Sequence, residues 1–217
     1  MTAEPSSPRT TVRHHSERGA YDRDTVHRIL DEALVCHVGF VRDSQPFVIP
    51  TLFARRGDVL YFHGAAANQM LGSLATGSPV CITITLIDGL VMARSHFSHS
   101  VNYRSVVVLG TAREVTDPAE KRDSFEALVE HVARGRWNDA RQPNEAETKA
   151  TRVMAVPIEE VSAKIRSGPP KDDADDLGLL VWAGVIPLAM TAGQPISAEG
   201  LPRDVSIPEY ARNYRRA

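Results

Sequence analysis

Cysteine is scarce in this chain of 217 residues. Only Cys36 and Cys81 occur, both inside apolar runs typical of strands and without CxxC spacing. Thiols in such runs usually act as small buried hydrophobes, so we expect free thiols and a cytoplasmic protein. The first 22 residues lack the apolar core of a secretory signal, and no segment offers the ~20 apolar residues that a membrane helix needs. We expect no membrane partner.

An excess of one charge is also lacking. Lysine and arginine number 25 and aspartate and glutamate 27, which gives a formal net charge of -2. The basic residues are scattered among acidic ones, so the charge pattern argues against nucleic acid as a partner.

Several site motifs are absent as well. No GxGxxG follows a strand and no GxxxxGK[ST] occurs, which excludes Rossmann and P-loop sites on their own criteria. His63, His96 and His99 have neither HExxH spacing nor a CxxC companion, so no metal site is predicted, although a haem-ligand or acid/base role for one of them stays open. GxSxG is missing too.

What the sequence does contain is a series of short apolar runs joined by tight turns. Asp22 or Asp24 can cap a first helix, and Asp117 precedes a longer one. Asp88-Gly89 predicts a two-residue hairpin turn, and Gly110 predicts a bulge. We expect strands at 35–41, 47–55, 59–63, 80–86, 90–93, 106–115, 151–156 and 161–166, and helices from about 24, over 65–75, over 118–133 and after 143.

This order of elements predicts a mainly β fold with peripheral helices, namely an antiparallel barrel, because the strands do not alternate with crossover helices. Residues 1–20 are rich in polar residues and proline, and we expect a flexible N-terminal arm. Residues 21–190 form the predicted domain, and residues 191–217 form a polar C-terminal tail.

Two polar segments suit a flavin mononucleotide (FMN) site. Gly64 to Asn68 leave a strand and open the predicted short helix, where small side chains would let a phosphate approach backbone N–H groups. Asn102-Tyr103-Arg104 open a strand, where Arg104 could bind phosphate and Tyr103 could cover the cofactor. The alternatives are a plain strand-to-helix turn for the first segment, and an ion pair and packing for the second.

Residues from about Arg23 to Leu188 resemble the pyridoxamine 5'-phosphate oxidase-like FMN-binding split-barrel superfamily, in its flavin-nucleotide-binding and nitroimidazole-resistance branch. The segments that carry the resemblance are Cys36-His37-Val38-Gly39-Phe40, Val48-Ile49-Pro50-Thr51, Tyr61-Phe62-His63-Gly64, Asp88-Gly89-Leu90-Val91, Arg94-Ser95, His99 to Ser105, and Trp182 to Leu188.

The resemblance implies a split β-barrel that binds FMN in a groove at a homodimer interface, to which the apolar residues 179–188 would contribute. The superfamily often holds the phosphate with a basic residue on the short helix. This sequence has Asn68-Gln69-Met70 there, so Arg94 or Arg104 would supply the charge. The implied cofactor-binding residues are Ile49, Pro50, Thr51, His63, Gly64, Ala65, Asn68, Gln69, Thr83, Arg94, Asn102, Tyr103 and Arg104.

The leading hypothesis is an FMN-dependent oxidoreductase that passes electrons from a reduced nicotinamide or another small donor to a small organic acceptor or oxygen. The flavin performs the chemistry, so no catalytic residue can be assigned from the sequence. Two alternatives stay open. One is a flavin- or haem-binding carrier, sensor or resistance factor without turnover, and the other is a deazaflavin-dependent reductase.

Overall fold

The computed structural model describes residues 4–216, which form ten strands and six α-helices. The strands are β1 (Gly19–Ala20), β2 (Val35–Arg42), β3 (Gln45–Arg56), β4 (Val59–Ala65), β5 (Pro79–Met92), β6 (Ser100–Thr111), β7 (Arg113–Glu114), β8 (Thr151–Pro157), β9 (Glu160–Arg166) and β10 (Gly184–Pro187). The helices are α1 (Arg23–Glu32), α2 (Gln69–Leu74), α3 (Pro118–Val132), α4 (Arg136–Asp139), α5 (Glu145–Ala150) and α6 (Glu209–Arg212).

All strand pairs are antiparallel, and the strands follow the order β1-β9-β6-β5-β2-β3-β4-β8-β7, with β10 added to β5. Strand β3 is shared between two parts of the sheet. Its first eight residues, up to Leu52, pair with β2, whereas its last four residues, from Phe53, pair with β4. The sheet therefore splits at β3, which confirms the predicted antiparallel split barrel.

The core lies inside the barrel and under α1. Phe53, Phe62 and Ile82 are fully buried there. On α1 the apolar stripe of Val26, Ile29 and Leu30 packs into the same cluster. Asp22 accepts a hydrogen bond from the Thr25 N–H and so begins the helix as predicted. Burial of each large side chain contributes roughly 1.5–3 kcal/mol, so α1 is held mainly by this stripe.

The predicted hairpin turn at Asp88-Gly89 is wrong, because β5 runs without interruption through both residues. The register against β6 shifts between Ile87 and Gly89, which places the bulge here, whereas Gly110 pairs regularly with Val80. A Cβ atom on Gly89 would lie 3.0 Å from the Ile186 carbonyl oxygen. Glycine is therefore needed for the close approach of β10 rather than for a turn.

The predicted start of the short helix is also wrong by four residues. Gly64 and Ala65 continue β4 and pair with Arg152 and Thr151 of β8, so their backbone groups are used in the sheet. Helix α2 begins only after Asn68, whose side chain accepts a hydrogen bond from the Leu71 N–H at 3.1 Å.

Both terminal segments contact the barrel. In the predicted N-terminal arm, Ser7 and Arg9 bind the Glu160 carboxylate and Thr10 is buried. In the predicted tail, the Arg216 guanidinium donates hydrogen bonds to the carbonyl oxygens of Glu32 at 2.7 Å and Asp31 at 2.8 Å, at the end of α1. Among residues 4–216, no helix has the length and apolar character required to cross a membrane.

Candidate functional site

One group of predicted site residues lies on the outer face of the sheet, which we define as the side of β2, β3, β5 and β6 that points away from the barrel interior. The strand register places His37 of β2 between Pro50 of β3 and Thr83 of β5. Tyr103 lies on β6 opposite Ile87 of β5, on the same face. The apolar side chains exposed on this face are those of Val35, Val41, Val48, Leu52, Ile87 and Leu90.

Two further predicted residues, Ile49 and Thr51, alternate onto the other side of β3. Ile49 is opposite Val38, which is fully buried, yet Ile49 itself is 38% exposed. The reason lies in the split of the sheet, since β4 pairs with β3 only from Phe53 onward. The part of β3 that pairs with β2 therefore exposes side chains on both of its faces, where a ligand or a partner can contact them.

The second group forms what we call the α2 corner, namely the end of β4 (63–65), Asn68, Gln69 and Arg152 of β8. A Cβ atom on Gly64 would lie 3.1 Å from Leu71 Cδ1, so the strand end and the helix approach each other closely. His63 is solvent-exposed on one side, and partial desolvation lowers the pKa of its imidazole. The next residues, 65–69, are exposed and carry small or polar side chains.

Arg152 is a component of this corner that the sequence did not reveal. It pairs with Gly64 across β4 and β8, and its Nη1 lies 3.5 Å from the position of a Cβ atom on Gly72 in α2. Its Nε lies 3.2 Å from a Glu114 carboxylate oxygen but, within residues 4–216, this buried N–H has no hydrogen-bond partner. The guanidinium is thus only partly satisfied beside the short helix.

Arg42 brings a second cation to α2. Its Nη1 donates a hydrogen bond to Gln69 Oε1 at 2.9 Å, and its guanidinium lies 4.7 Å from the centroid of the Phe47 ring. A cleft of about 540 Å³ opens here between the β2–β3 turn and α2. The positive charge that the short helix lacks is therefore provided from neighbouring strands. Only the non-local register of the sheet brings these groups together, so spacing in the sequence carries no signal of them.

Arg104, by contrast, is fully engaged. Its Nε and Nη2 donate to the Asp88 carboxylate at 2.9 and 2.7 Å, and its Nη1 and Nη2 donate to Glu32. Hydrogen bonds to Glu32 and then to Asp88 raise the pKa of Arg104. This arrangement corresponds to the ion-pair alternative for Arg104 and does not favour it as a phosphate ligand.

Arg94 and Asn102 are engaged as well. The Arg94 backbone N–H and its Nη1 donate to the two oxygens of Asp172, at 2.7 and 2.6 Å. The backbone hydrogen bond from Arg94 lowers the pKa of that carboxyl. Asn102 is buried, with Nδ2 donating to the Gly168 carbonyl and Oδ1 accepting from Arg166. The structure thus separates Arg94, Asn102 and Arg104 from the α2 corner as groups that hold the chain together.

A larger cavity than the cleft beside α2 lies elsewhere. It has a volume of about 1150 Å³ and is lined by α1, the end of α3 and residues 210–216 of the tail. None of the α2-corner residues lines it. In the described part of the chain, no group of three or more histidine, cysteine or acidic side chains could hold a metal ion.

Comparisons with known proteins agree with this fold. The sequence model of the pyridoxamine 5'-phosphate oxidase family matches residues 22–165. No curated protein is similar enough to the chain to count as a match.

Solved structures give closer matches. The flavocytochrome Anf3 from Azotobacter vinelandii is 37% identical, with a TM-score of 0.93 over 99% of this chain and 100% of that chain. The FAD and heme binding protein from Mycobacterium smegmatis is 33% identical, with a TM-score of 0.86 over 90% of this chain and 96% of that chain.

A protein assigned to 5-nitroimidazole antibiotic resistance, from Bacteroides thetaiotaomicron VPI-5482, shares the fold at 24% identity and a TM-score of 0.58, over 68% of this chain and 86% of that chain. The family match spans the strands that build the outer face and all residues of the α2 corner. On this evidence the chain belongs to the pyridoxamine 5'-phosphate oxidase family.

Proposed function

We propose that this protein is a redox protein that binds a flavin nucleotide and a haem and works as a homodimer. The observation that carries the proposal is the extent of the match to the flavocytochrome from A. vinelandii, which covers 99% of this chain at 37% identity. That match includes the residues after 165, which the family model leaves out. The FAD and heme binding protein from M. smegmatis also matches 90% of the chain.

The residues of the α2 corner fit a flavin phosphate. The Arg152 guanidinium lies beside Gly72 of α2 with its Nε in an ion pair with Glu114, and Arg42 adds a second guanidinium beside α2. Arginine binds phosphate oxygens through charge-assisted hydrogen bonds, and its planar group can do so with two of them at once. The exposed residues 65–69 carry small or polar side chains and so leave room for a ligand beside α2. FMN and FAD both carry a phosphate at the end of the ribityl chain, so either nucleotide suits the α2 corner.

The isoalloxazine ring would lie along the part of β3 that pairs with β2. Pro50 would contact the ring on the outer face, where His37 and Thr83 lie on the neighbouring strands, and Ile49 and Thr51 would contact a ligand only on the opposite side of β3. A second copy of the chain would cover the ring, because the outer face exposes apolar side chains that a monomer leaves in water.

A bound flavin would accept a hydride from a small donor such as a reduced nicotinamide, and it would pass electrons to a haem, to oxygen or to a small organic acceptor. The protein would hold the phosphate, orient the ring and limit the access of water.

The test of the proposal is the cofactor content of the purified protein. We expect a flavin absorption band and a haem Soret band, and chromatography of the released flavin to identify it as FMN or FAD. Addition of a reduced nicotinamide without oxygen should bleach the flavin band. Purified protein that carries neither cofactor, and that takes up neither when they are added, would contradict the proposal.

The phosphate site is tested by Arg152→Ala. Loss of charge-assisted hydrogen bonds of ~1.5–3 kcal/mol should weaken binding of the flavin nucleotide roughly 10- to 100-fold, as measured by fluorescence titration. Arg141→Ala is the matched control, since Arg141 is exposed and pairs with Glu147 on nearby α5. Riboflavin, which lacks the phosphate, should bind both variants like the parent protein. Equal losses for riboflavin and nucleotide would assign Arg152 a structural role instead.

A further inference from the structure

The segment from Leu177 to Met190 leaves an unusual number of apolar side chains in water. Leu180 is fully exposed, Met190 is 84% exposed and Trp182 is 64% exposed. Leu177, Leu179 and Val181 are exposed as well. Soluble proteins seldom present so many neighbouring apolar groups unless they contact a ligand, a partner or a membrane. This apolar segment therefore needs an occupant.

The register of the sheet places the apolar segment beside a histidine-containing loop. Within the segment, β10 pairs with the end of β5, where Gly184 is opposite Met92 and Ile186 is opposite Leu90. The same end of β5 pairs with the start of β6, with Val91 opposite Ser100. The loop that joins β5 to β6 therefore lies at the same edge, and it holds His96, Phe97 and His99.

Aromatic groups border this edge on two sides. Phe97, in a short 3-10 turn, is 95% exposed. Trp182 lies against Gly184, because a Cβ atom there would be 2.9 Å from Trp182 Cζ2. The edge thus combines flat apolar groups with imidazoles, which is the chemistry that holds a porphyrin and its iron.

A hydrogen bond to the backbone fixes the tautomer of His99. Its Nδ1 lies 2.8 Å from the Ser95 carbonyl oxygen. A carbonyl oxygen can only accept, so Nδ1 carries the proton and the lone pair of neutral His99 is on Nε2. A backbone carbonyl that fixes the tautomer in this way is the usual support of a metal-binding histidine. The His99 side chain is exposed, and its ring lies 6.1 Å from that of His96.

We propose that Nε2 of His99 is the protein ligand of the haem iron, with the macrocycle against the apolar segment 177–190 and Phe97. This inference rests on the proposed function, because it names the residue that would hold the proposed haem. It also accounts for the extent of the matches, since the segment lies outside the family model yet inside the region shared with the flavocytochrome.

The experiment compares the full chain with His99→Gly and with the matched control His96→Gly. Haem affinity is measured by titration and the iron ligation by resonance Raman or electron paramagnetic resonance spectra. We expect His99→Gly to lose the histidine-ligated signature and to bind haem at least ~10-fold more weakly, whereas His96→Gly keeps both. Added imidazole should restore the signature in His99→Gly alone, and unchanged flavin affinity should show that the variant is folded.

The outcomes separate the inference from the proposed function. If the parent protein takes up no haem, the haem part of the proposed function fails and this inference fails with it. If the parent protein binds haem and His99→Gly retains the same affinity and iron signature, the inference alone is overturned. Loss of ligation in His96→Gly in place of His99→Gly would overturn it as well.

Discussion

Arg104 joins the end of α1, through Glu32, to the bulge of β5, through Asp88. Its side chain is only 29% exposed, so the pairs are shielded more than ordinary surface ion pairs. Removal of Arg104 would leave two carboxylates facing a partly buried gap, which is more costly than loss of an exposed pair.

We therefore expect Arg104→Ala to lower the free energy of unfolding by about 1–3 kcal/mol, between the values for exposed and buried pairs. Urea denaturation of the cofactor-free protein measures the change. Arg56→Ala is the control, because Arg56 forms a half-exposed pair with Asp123 and should cost ~1 kcal/mol or less. If Arg104→Ala kept its stability but lost affinity for the flavin nucleotide, Arg104 would be the phosphate ligand that the sequence suggested.

At the scale of elements, short sequence patterns correctly predicted the features that depend on neighbouring residues, such as the starts of helices. Asp22 and Asp117 begin α1 and α3 as expected, because a capping side chain acts on N–H groups three residues away. Asp88-Gly89 misled the prediction, since the same dipeptide suits a turn and a bulge, and only the pairing of β10 with β5 decides between them. Likewise, the position of Arg152 depends on the register of β4 against β8, which no local pattern fixes.

The bulge leads to a prediction for β10. Gly89→Ala would place a Cβ atom 3.0 Å from both the Ile186 carbonyl oxygen and Val185 Cγ1, so β10 must move or detach. We expect a loss of about 1–3 kcal/mol in unfolding free energy and faster amide hydrogen exchange in 184–187. Gly178→Ala is the control, because nothing lies within 4 Å of its added Cβ. Unchanged exchange in Gly89→Ala would mean that β10 is not held against the bulge.

For the whole molecule, the outer face and the strand β3, where the sheet splits, both expose apolar side chains that a partner could cover. Val48 is 65% exposed and Val35, Leu52 and Ile87 are each more than 40% exposed, although all four lie within regular strands. The core of the barrel is filled by the inward side chains, and these four residues lie outside it. Contact with the same face of a second copy would remove these side chains from water. A two-fold axis would place each of them in the interface two times, once from each copy.

We accordingly expect the protein to be a homodimer, and Leu52→Glu to dissociate it. The substitution puts one charge on each copy into an apolar interface, where an unpaired charge is costly to bury. Light scattering should give the dimer mass for the parent protein and the monomer mass for Leu52→Glu. Ile196→Glu is the control, because Ile196 is equally apolar and 96% exposed but lies in the C-terminal tail.

Flavin affinity should fall together with the dimer if the ring is covered by the second copy. A parent protein with a monomer mass at micromolar concentration would show that the outer face has another partner.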